Sequence, residues 1–310
     1  MRLCDARVVL TGASGGIGQA IAAALCASGA RVLAVARHRE ALQPLLEQYP
    51  QQLSWVEADL TFLADRRKVL VAAEAQGGIN LLINAAGVNH FAMLEQLDDS
   101  EINAMLALNI SAPICLTKLL LPLLKQADSA MVVNVGSTYG SIGYPGYASY
   151  CASKFALRGF FSEALRRELA DTRVGVLYVA PRATRTSMNS PAADALNQAL
   201  KANVDDPQTV AAAVIHAIIG DRRELYLGWP ERFFSSASTA CCPTWWTVAC
   251  ASSCHWCAVS VINPKTSTSS HEKNLRLPVD RHPEPKRLGV GGGRPATSRR
   301  HPAELGPYSI

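Results

Sequence analysis

The first 262 residues lack any net charge. They hold 21 Lys/Arg against 21 Asp/Glu, and the formal excess of +5 comes from residues 263–310, with 9 basic and 4 acidic side chains. A neutral body has no electrostatic means of gripping a polyanion, so no nucleic-acid partner is expected. No apolar run follows Met1; a secretory leader is therefore not expected, and the expected compartment is the reducing cytoplasm. No internal repeat is apparent, which sets solenoid and propeller architectures aside.

Apolar residues make up 49% of the chain and charged ones 18%, a composition that can bury a substantial core. Short β-branched or apolar runs alternate with longer helical patterns from Arg7 to about Leu227. The predicted strands are Arg7–Leu10, Arg31–Ala36, Leu53–Glu57, Leu81–Asn84, Met131–Val135, Val174–Val179 and Leu225–Leu227. Between them, apolar residues recur at helical spacing over Ile17–Ser28, Arg39–Gln48, Phe62–Ala75, Ser100–Lys125 and Tyr150–Ala170. Alternation of this kind calls for right-handed crossovers, and so for an α/β domain with one doubly wound parallel sheet covered by helices on both faces. The expected domain spans residues 1–231, and residues 232–310 form an irregular tail. Ligands of such sheets bind beyond the carboxyl ends of the strands, where the strand order reverses.

The residues that follow each predicted strand carry the chemistry. Thr11-Gly12-Ala13-Ser14-Gly15-Gly16-Ile17-Gly18 joins the first strand to the first helix. Glycines let the backbone turn tightly and approach a pyrophosphate, and the helix N-terminus adds free N–H groups. Gly12, Ser14, Gly16, Ile17 and Gly18 are therefore candidate cofactor contacts. The second strand ends at Ala36-Arg37, with no carboxylate for a ribose 2′-hydroxyl and an arginine placed for a 2′-phosphate. Asp59-Leu60 follows the third strand, and Asn84-Ala85-Ala86-Gly87, small enough to admit a flat ring, follows the fourth. Asn109 lies mid-helix, and Ser137 follows the fifth strand. Tyr150 and Lys154, four residues apart, share one helix face, which puts the ammonium below the phenol and favours the phenolate.

Each motif alone is weak, but their order and spacing resemble the short-chain dehydrogenase/reductase family over residues 5–230: the glycine turn, Asn84-Ala85-Ala86-Gly87, Asn109, Ser137, and Tyr150-x-x-Ser153-Lys154. The resemblance implies a Rossmann-type fold and hydride transfer between a nicotinamide cofactor and a carbonyl or secondary alcohol. It implies Tyr150 as general acid/base, Lys154 on the nicotinamide ribose, Ser137 on the substrate oxygen, and Asn109 seating a water that links Lys154 to solvent. Asn84, Asp59 and Leu60 fall to the cofactor, with Asp59 meeting the adenine. Arg37 makes NADP(H) the expected cofactor over NAD(H). A homodimer or homotetramer is implied through Ser100–Lys125 and Tyr150–Ala170.

After the sixth strand, Ala180-Pro181-Arg182-Ala183-Thr184-Arg185-Thr186 departs from the family pattern. Arg182 stands for the usual glycine, and either Thr184 or Thr186 could be the family threonine that touches the nicotinamide carboxamide. Arg182 and Arg185 are expected to face water, and residues 182–206 to form a substrate loop.

The tail reads differently. Ser235–Asn263 has no charged residue and crowds five of the nine cysteines, Cys241 to Cys257, among three tryptophans. The run is long enough for a membrane span, but Pro243 and many Ser/Thr leave it mildly apolar, and no membrane partner is expected. Cys250-x-x-x-Cys254-x-x-Cys257 has the spacing of an iron–sulfur loop without the surrounding barrel pattern. Cys254-His255-Trp256-Cys257 has Ala258 where haem attachment needs His. A zinc knuckle is the remaining metal reading, and no metal site is assigned. The composition fits a frame-disrupted or unrelated extension. Two other functions stay open beside the oxidoreductase: a non-catalytic dinucleotide sensor or interaction module on the same fold, and a metal or membrane module in the tail.

Overall fold

The computed structural model describes residues 1–228. The tail expectations, including the cysteine cluster, lie outside the described residues. Seven strands form one parallel sheet: β1 (Arg7–Thr11), β2 (Arg31–Ala36), β3 (Leu53–Glu57), β4 (Leu81–Asn84), β5 (Ala130–Val135), β6 (Val174–Ala180) and β7 (Glu224–Tyr226). Their order across the sheet is β3-β2-β1-β4-β5-β6-β7. The helices are α1 (Gly16–Ala27), α2 (Gln43–Gln48), α3 (Leu63–Ala75), α4 (Asp99–Leu106), α5 (Ala112–Gln126), α6 (Ala148–Phe155), α7 (Ala164–Glu168), α8 (Pro191–Ala199) and α9 (Pro207–Ile219). A π-turn at Ala107–Ser111 joins α4 to α5, and another at Ala156–Glu163 joins α6 to α7.

The central strands are buried on both faces, which accounts for their near-continuous Val/Ile/Leu runs. Alternate residues of β1 serve opposite layers. Val8 and Leu10 pack with Ile21 and Leu25 of α1 and Val210, Val214 and Ile218 of α9. Val9 faces Val69 of α3, Leu116, Leu120 and Leu124 of α5, and Leu165 of α7. Burying a Val, Leu or Ile contributes about 1.5–3 kcal/mol each, and two such layers clamp the sheet whose ends carry the site.

All seven predicted strands form; β2, β3 and β4 keep their predicted ends, and the ends of the others shift by a single residue. The helical segment Arg39–Gln48 shortens to a 3₁₀ turn and α2, and the long segments at 100–125 and 150–170 each carry a π-turn. Two helices were not among the expected ones. α9 starts at Pro207, after Asp206 as its N-cap, and the fixed φ of proline suits a first helical turn. α8 starts with Ser190, whose Oγ accepts from Ala193 N–H at 3.2 Å. It lies inside the expected substrate loop, so that segment is partly helical. Among the described residues one helical stretch, Asp99–Gln126, is long and apolar enough to cross a membrane. Here Leu116, Leu120 and Leu124 are buried against the sheet.

Candidate active site

Strand order reverses between β1 and β4, and the loops beyond these two strands form the heart of the site. Thr11, the last residue of β1, holds them together. Its Oγ1 accepts from the N–H groups of Ala85 (3.0 Å) and Ala86 (3.1 Å) and donates to the Ile83 carbonyl at 3.3 Å. Gly12 then adopts φ +66°, and a Cβ there would lie 2.7 Å from the backbone of Ala85 and Ala86. Both the positive φ and the close approach demand glycine. Gly15 is the N-cap of α1 and has no side chain to occupy the first-turn N–H groups. Ser14 is exposed, Gly16 and Ile17 are half-buried, and Gly18 backs onto the Gly12 carbonyl so closely that no side chain fits. The turn is thus a bare rim of backbone at the positive end of a helix dipole, fit for a pyrophosphate. Arg37 is exposed just after Ala36 at the end of β2. Beyond β3, Asp59 is half-buried and its Oδ1 accepts from Thr61 N–H (2.9 Å) and Oγ1 (2.7 Å), while Leu60 is buried.

Asn84 is the last residue of β4. Its side chain is buried and Nδ2 donates to Thr117 Oγ1 (3.2 Å) and Asn134 Oδ1 (2.9 Å). Asn134 donates in turn to Ser162 Oγ at 2.9 Å, and Ser162 to the Leu157 carbonyl at 2.6 Å. The Asn84 side chain belongs to a polar chain that ties β4, β5, α5 and the second π-turn, and the residue lines a small cavity with Thr11, Leu60, Ala86 and Asn109.

The structure brings Ser137, Tyr150 and Lys154 together beyond β5. Ser137 Oγ accepts from Tyr139 N–H at 3.1 Å and hydrogen-bonds with the Tyr150 phenol. Lys154 is buried, donates Nζ to the Val135 carbonyl at 3.1 Å, and lies 5.6 Å from the Tyr150 ring centre. Burial pulls its pKa down to about 8. The sequence suggested that this ammonium would draw the phenol toward neutrality. In the polypeptide itself burial outweighs it and holds Tyr150 above its ordinary range, with the Ser137 hydrogen bond opposing the shift.

Asn109 sits in the first π-turn, a distortion common at functional sites. Its Oδ1 accepts from Val88 N–H (2.9 Å), and its Nδ2 donates to the Val88 carbonyl (3.0 Å) and Ser153 Oγ (3.0 Å). Ser153 Oγ donates to the Tyr150 carbonyl at 2.7 Å. Asn109 therefore straps the loop after β4 to α6. A Cβ on Gly87 would lie 3.1 Å from Asn109 Oδ1 and 3.6 Å from Lys154 Nζ, which places all three residues side by side.

The two threonines of the segment after β6 stand in different places. Thr184 is buried and donates to the Arg182 carbonyl at 2.9 Å. Thr186 packs on the glycine turn, its Cγ2 2.8 Å from where a Gly16 Cβ would stand. Arg182 does not face water as expected. Its guanidinium forks onto Asp205 at 2.9 and 2.7 Å, and Thr184 bridges to Asp205. This clasp closes the base of the segment carrying α8. Arg185 is exposed and pairs with Asp206 at 2.8 Å. Leu196 of α8 joins Tyr147 and Cys151 in a small buried cluster edged by Phe91, Tyr139, Tyr144 and Tyr150. Sequence reading missed this aromatic wall, although Tyr139, Tyr144 and Tyr147 all fall between Ser137 and Tyr150.

Residues 6–197 match the family model described as short chain dehydrogenase. Nodulation protein G of Rhizobium sp. strain N33 is 30% identical over 203 residues, covering 65% of this chain and 82% of that protein. The 3-oxoacyl-(acyl-carrier-protein) reductase of Escherichia coli K12 is 32% identical over 187 residues, 60% of this chain and 76% of the relative. Among solved structures, a short-chain dehydrogenase from Streptomyces avermitilis superposes with a TM-score of 0.69 at 30% identity, covering 79% of this chain and 98% of that one. Another, from Burkholderia cenocepacia J2315 in complex with NADP, gives 0.66 at 30% identity over 73% of this chain and 98% of its own. With the parallel sheet and its strand-end residues, these matches place the chain in the short-chain dehydrogenase/reductase family of NAD(P)-dependent oxidoreductases.

Proposed function

We propose that the protein is an NADP(H)-dependent oxidoreductase that interconverts a small carbonyl compound and its secondary alcohol, with Tyr150 as the general acid/base. The observation that carries the reading is the convergence of Ser137, Tyr150 and Lys154 beside a side-chain-free glycine rim. Gly12, Ser14, Gly16, Ile17 and Gly18 would hold the pyrophosphate of the dinucleotide, and Asp59 and Leu60 would flank its adenine. Arg37, with Ala36 where an acid would disfavour phosphate, would pair with the 2′-phosphate. Lys154 would hold the nicotinamide ribose, and Thr186, on the glycine rim, is the candidate for the carboxamide. The solved relative from Burkholderia cenocepacia that holds NADP supports this choice of cofactor.

When bound, the nicotinamide supplies or accepts the hydride. Ser137 orients the substrate oxygen by a hydrogen bond, and Tyr150 gives that oxygen a proton on reduction or removes it on oxidation. The buried phenol is protonated at neutral pH, the state that reduction requires. Asn109 and Ser153 fix the backbone of Tyr150. Association into a homodimer or homotetramer would run through α4–α5 and α6–α7, where Ile114 and Phe155 leave apolar surface exposed, and a cytoplasmic enzyme is the corresponding expectation.

A screen of NADPH and NADH oxidation against diverse ketones and aldehydes tests the reading. Turnover with NADPH favoured supports it. Tight NADPH binding without turnover of any carbonyl would move the protein to a cofactor-sensing role.

A further inference from the structure

The two glycines that bracket Ser137 have no conformational reason to be glycine. Neither Gly136 nor Gly140 is among the residues with positive φ. At Gly136 what excludes a side chain is one ring, and at Gly140 it is the same ring together with the Lys154 backbone carbonyl. A Cβ on Gly136 would overlap the Oη, Cε2 and Cζ of Tyr178, and a Cβ on Gly140 would overlap the same Oη. Tyr178, on β6, is fully buried. Its hydroxyl donates to the Ser137 carbonyl at 3.1 Å and accepts from Ser137 N–H at 3.4 Å.

The flanking residues are held by backbone. Gly136 N–H donates to the Val179 carbonyl (2.7 Å), and Thr138 N–H donates to the Pro181 carbonyl (3.0 Å). Between them, Ser137 has a phenol where a strand partner would be, because the last β4–β5 pair is Asn84↔Asn134. Tyr226 packs on the Tyr178 ring at 6.1 Å, and the Arg158 guanidinium covers Tyr226 at 5.6 Å, so the wedge is itself backed.

We propose that Tyr178 is a positioning residue for Ser137: its hydroxyl fixes the Ser137 peptide groups, and Gly136 and Gly140 are small so that the ring can reach them. The inference rests on the reading of Ser137 as the group that orients the substrate oxygen. A misplacement of about 1 Å in such a group can cost on the order of 10²-fold in rate, so one hydroxyl here controls a catalytic distance without touching substrate.

A double-mutant cycle with amide exchange tests it. Tyr178→Phe keeps the ring and removes the hydroxyl. Expected is a kcat about tenfold lower, with KM for substrate and NADPH within about twofold. In a Ser137→Ala background the same change should alter kcat by less than about twofold, since there is no hydroxyl left to aim. Equal losses in both backgrounds would overturn the proposal and make Tyr178 a general structural residue. Independently of turnover, hydrogen exchange at the Ser137 amide should accelerate in Tyr178→Phe, and unchanged protection would also overturn it. If the wild-type protein reduces no carbonyl, this arm still decides whether the phenol fixes Ser137. Should Tyr178→Phe fail to fold, Gly136→Ala serves: it should lower Tm, and adding Tyr178→Val should restore part of the loss. A Gly136→Ala penalty that is the same with and without Tyr178→Val would show that the ring is not what excludes a side chain.

Discussion

At the β1–β2 end of the cleft the polar groups face outward: Ser14 and Arg37 are exposed, and Gly15 offers α1 no side-chain cap. At the β5–β6 end they are buried and bound to one another. Lys154 is tied to Val135, Asn109 to Val88 and Ser153, Ser153 to Tyr150, and Tyr178 to Ser137. In the proposed enzyme the difference follows from what each end must do. A dinucleotide brings its own charges and can be met by backbone N–H groups and an exposed guanidinium. A proton donor must stand at a fixed distance from the reacting oxygen, so its supports are locked by the fold. Substitutions at the first end should change affinity, and those at the second should change rate.

Tyr150→Phe tests the second half of that comparison and has the largest expected effect. The ring packing survives while the proton donor is lost, so kcat should fall by about 10²–10⁴-fold. The dissociation constant for NADPH, read by fluorescence titration, should stay within about twofold. Normal turnover by this variant would end the assignment.

Arg37→Ala tests the first half. A charge-assisted hydrogen bond contributes about 1.5–3 kcal/mol, so NADPH binding should weaken by roughly 10–100-fold relative to NADH. With saturating cofactor, kcat should change little. An unchanged ratio of the two dissociation constants would mean that the 2′-phosphate is read by another residue.

The Arg182–Asp205 clasp follows β6, at the base of the segment whose Thr186 reaches the glycine turn. Asp205→Ala leaves a guanidinium that is a quarter exposed without its fork partner. The expected cost is about 1–2 kcal/mol, with faster proteolytic nicking between residues 182 and 205. Equal nicking in the two proteins would show that the clasp does not hold that segment.

The sheet was legible because parallel strands buried on both faces read as short apolar runs, and candidate site residues stood at or just after the ends of the first five of them. The family resemblance supplied roles that spacing alone could not. What stayed hidden was three-dimensional. α9 has Val210, Val214, Ala217 and Ile218 on one face after an Asp-Pro start, a readable signal that the seven-strand pattern overshadowed. Asn84 stands in a motif beside the cofactor loop, yet the pleat directs its side chain toward Thr117 and Asn134. The pairing of Arg182 with Asp205 spans 23 residues, and no local pattern distinguishes it from two solvated charges. The Tyr178 wedge spans 41 residues and shows in sequence only as two glycines flanking a serine.

Lys154 is where the locked end of the cleft works against stability. Its ammonium is buried, which lowers its pKa in the fold to about 8 from an ordinary 10.5. Below pH 8 both folded and unfolded chains carry the proton, and the cost of burying the charge is fully present. Between about pH 8 and 10.5 the unfolded chain binds more protons than the folded one, so this residue makes stability rise with pH across that window. Lys154→Met, similar in length and uncharged, should remove the dependence. At pH 7 the variant should gain on the order of 1 kcal/mol, or about 2–4 °C in Tm, while turnover is lost. The gain should shrink as both proteins are compared at pH 9 and then pH 10. A variant less stable than the parent at pH 7 would show that the bond from Nζ to the Val135 carbonyl outweighs the buried charge, and that this end of the cleft is locked at no cost.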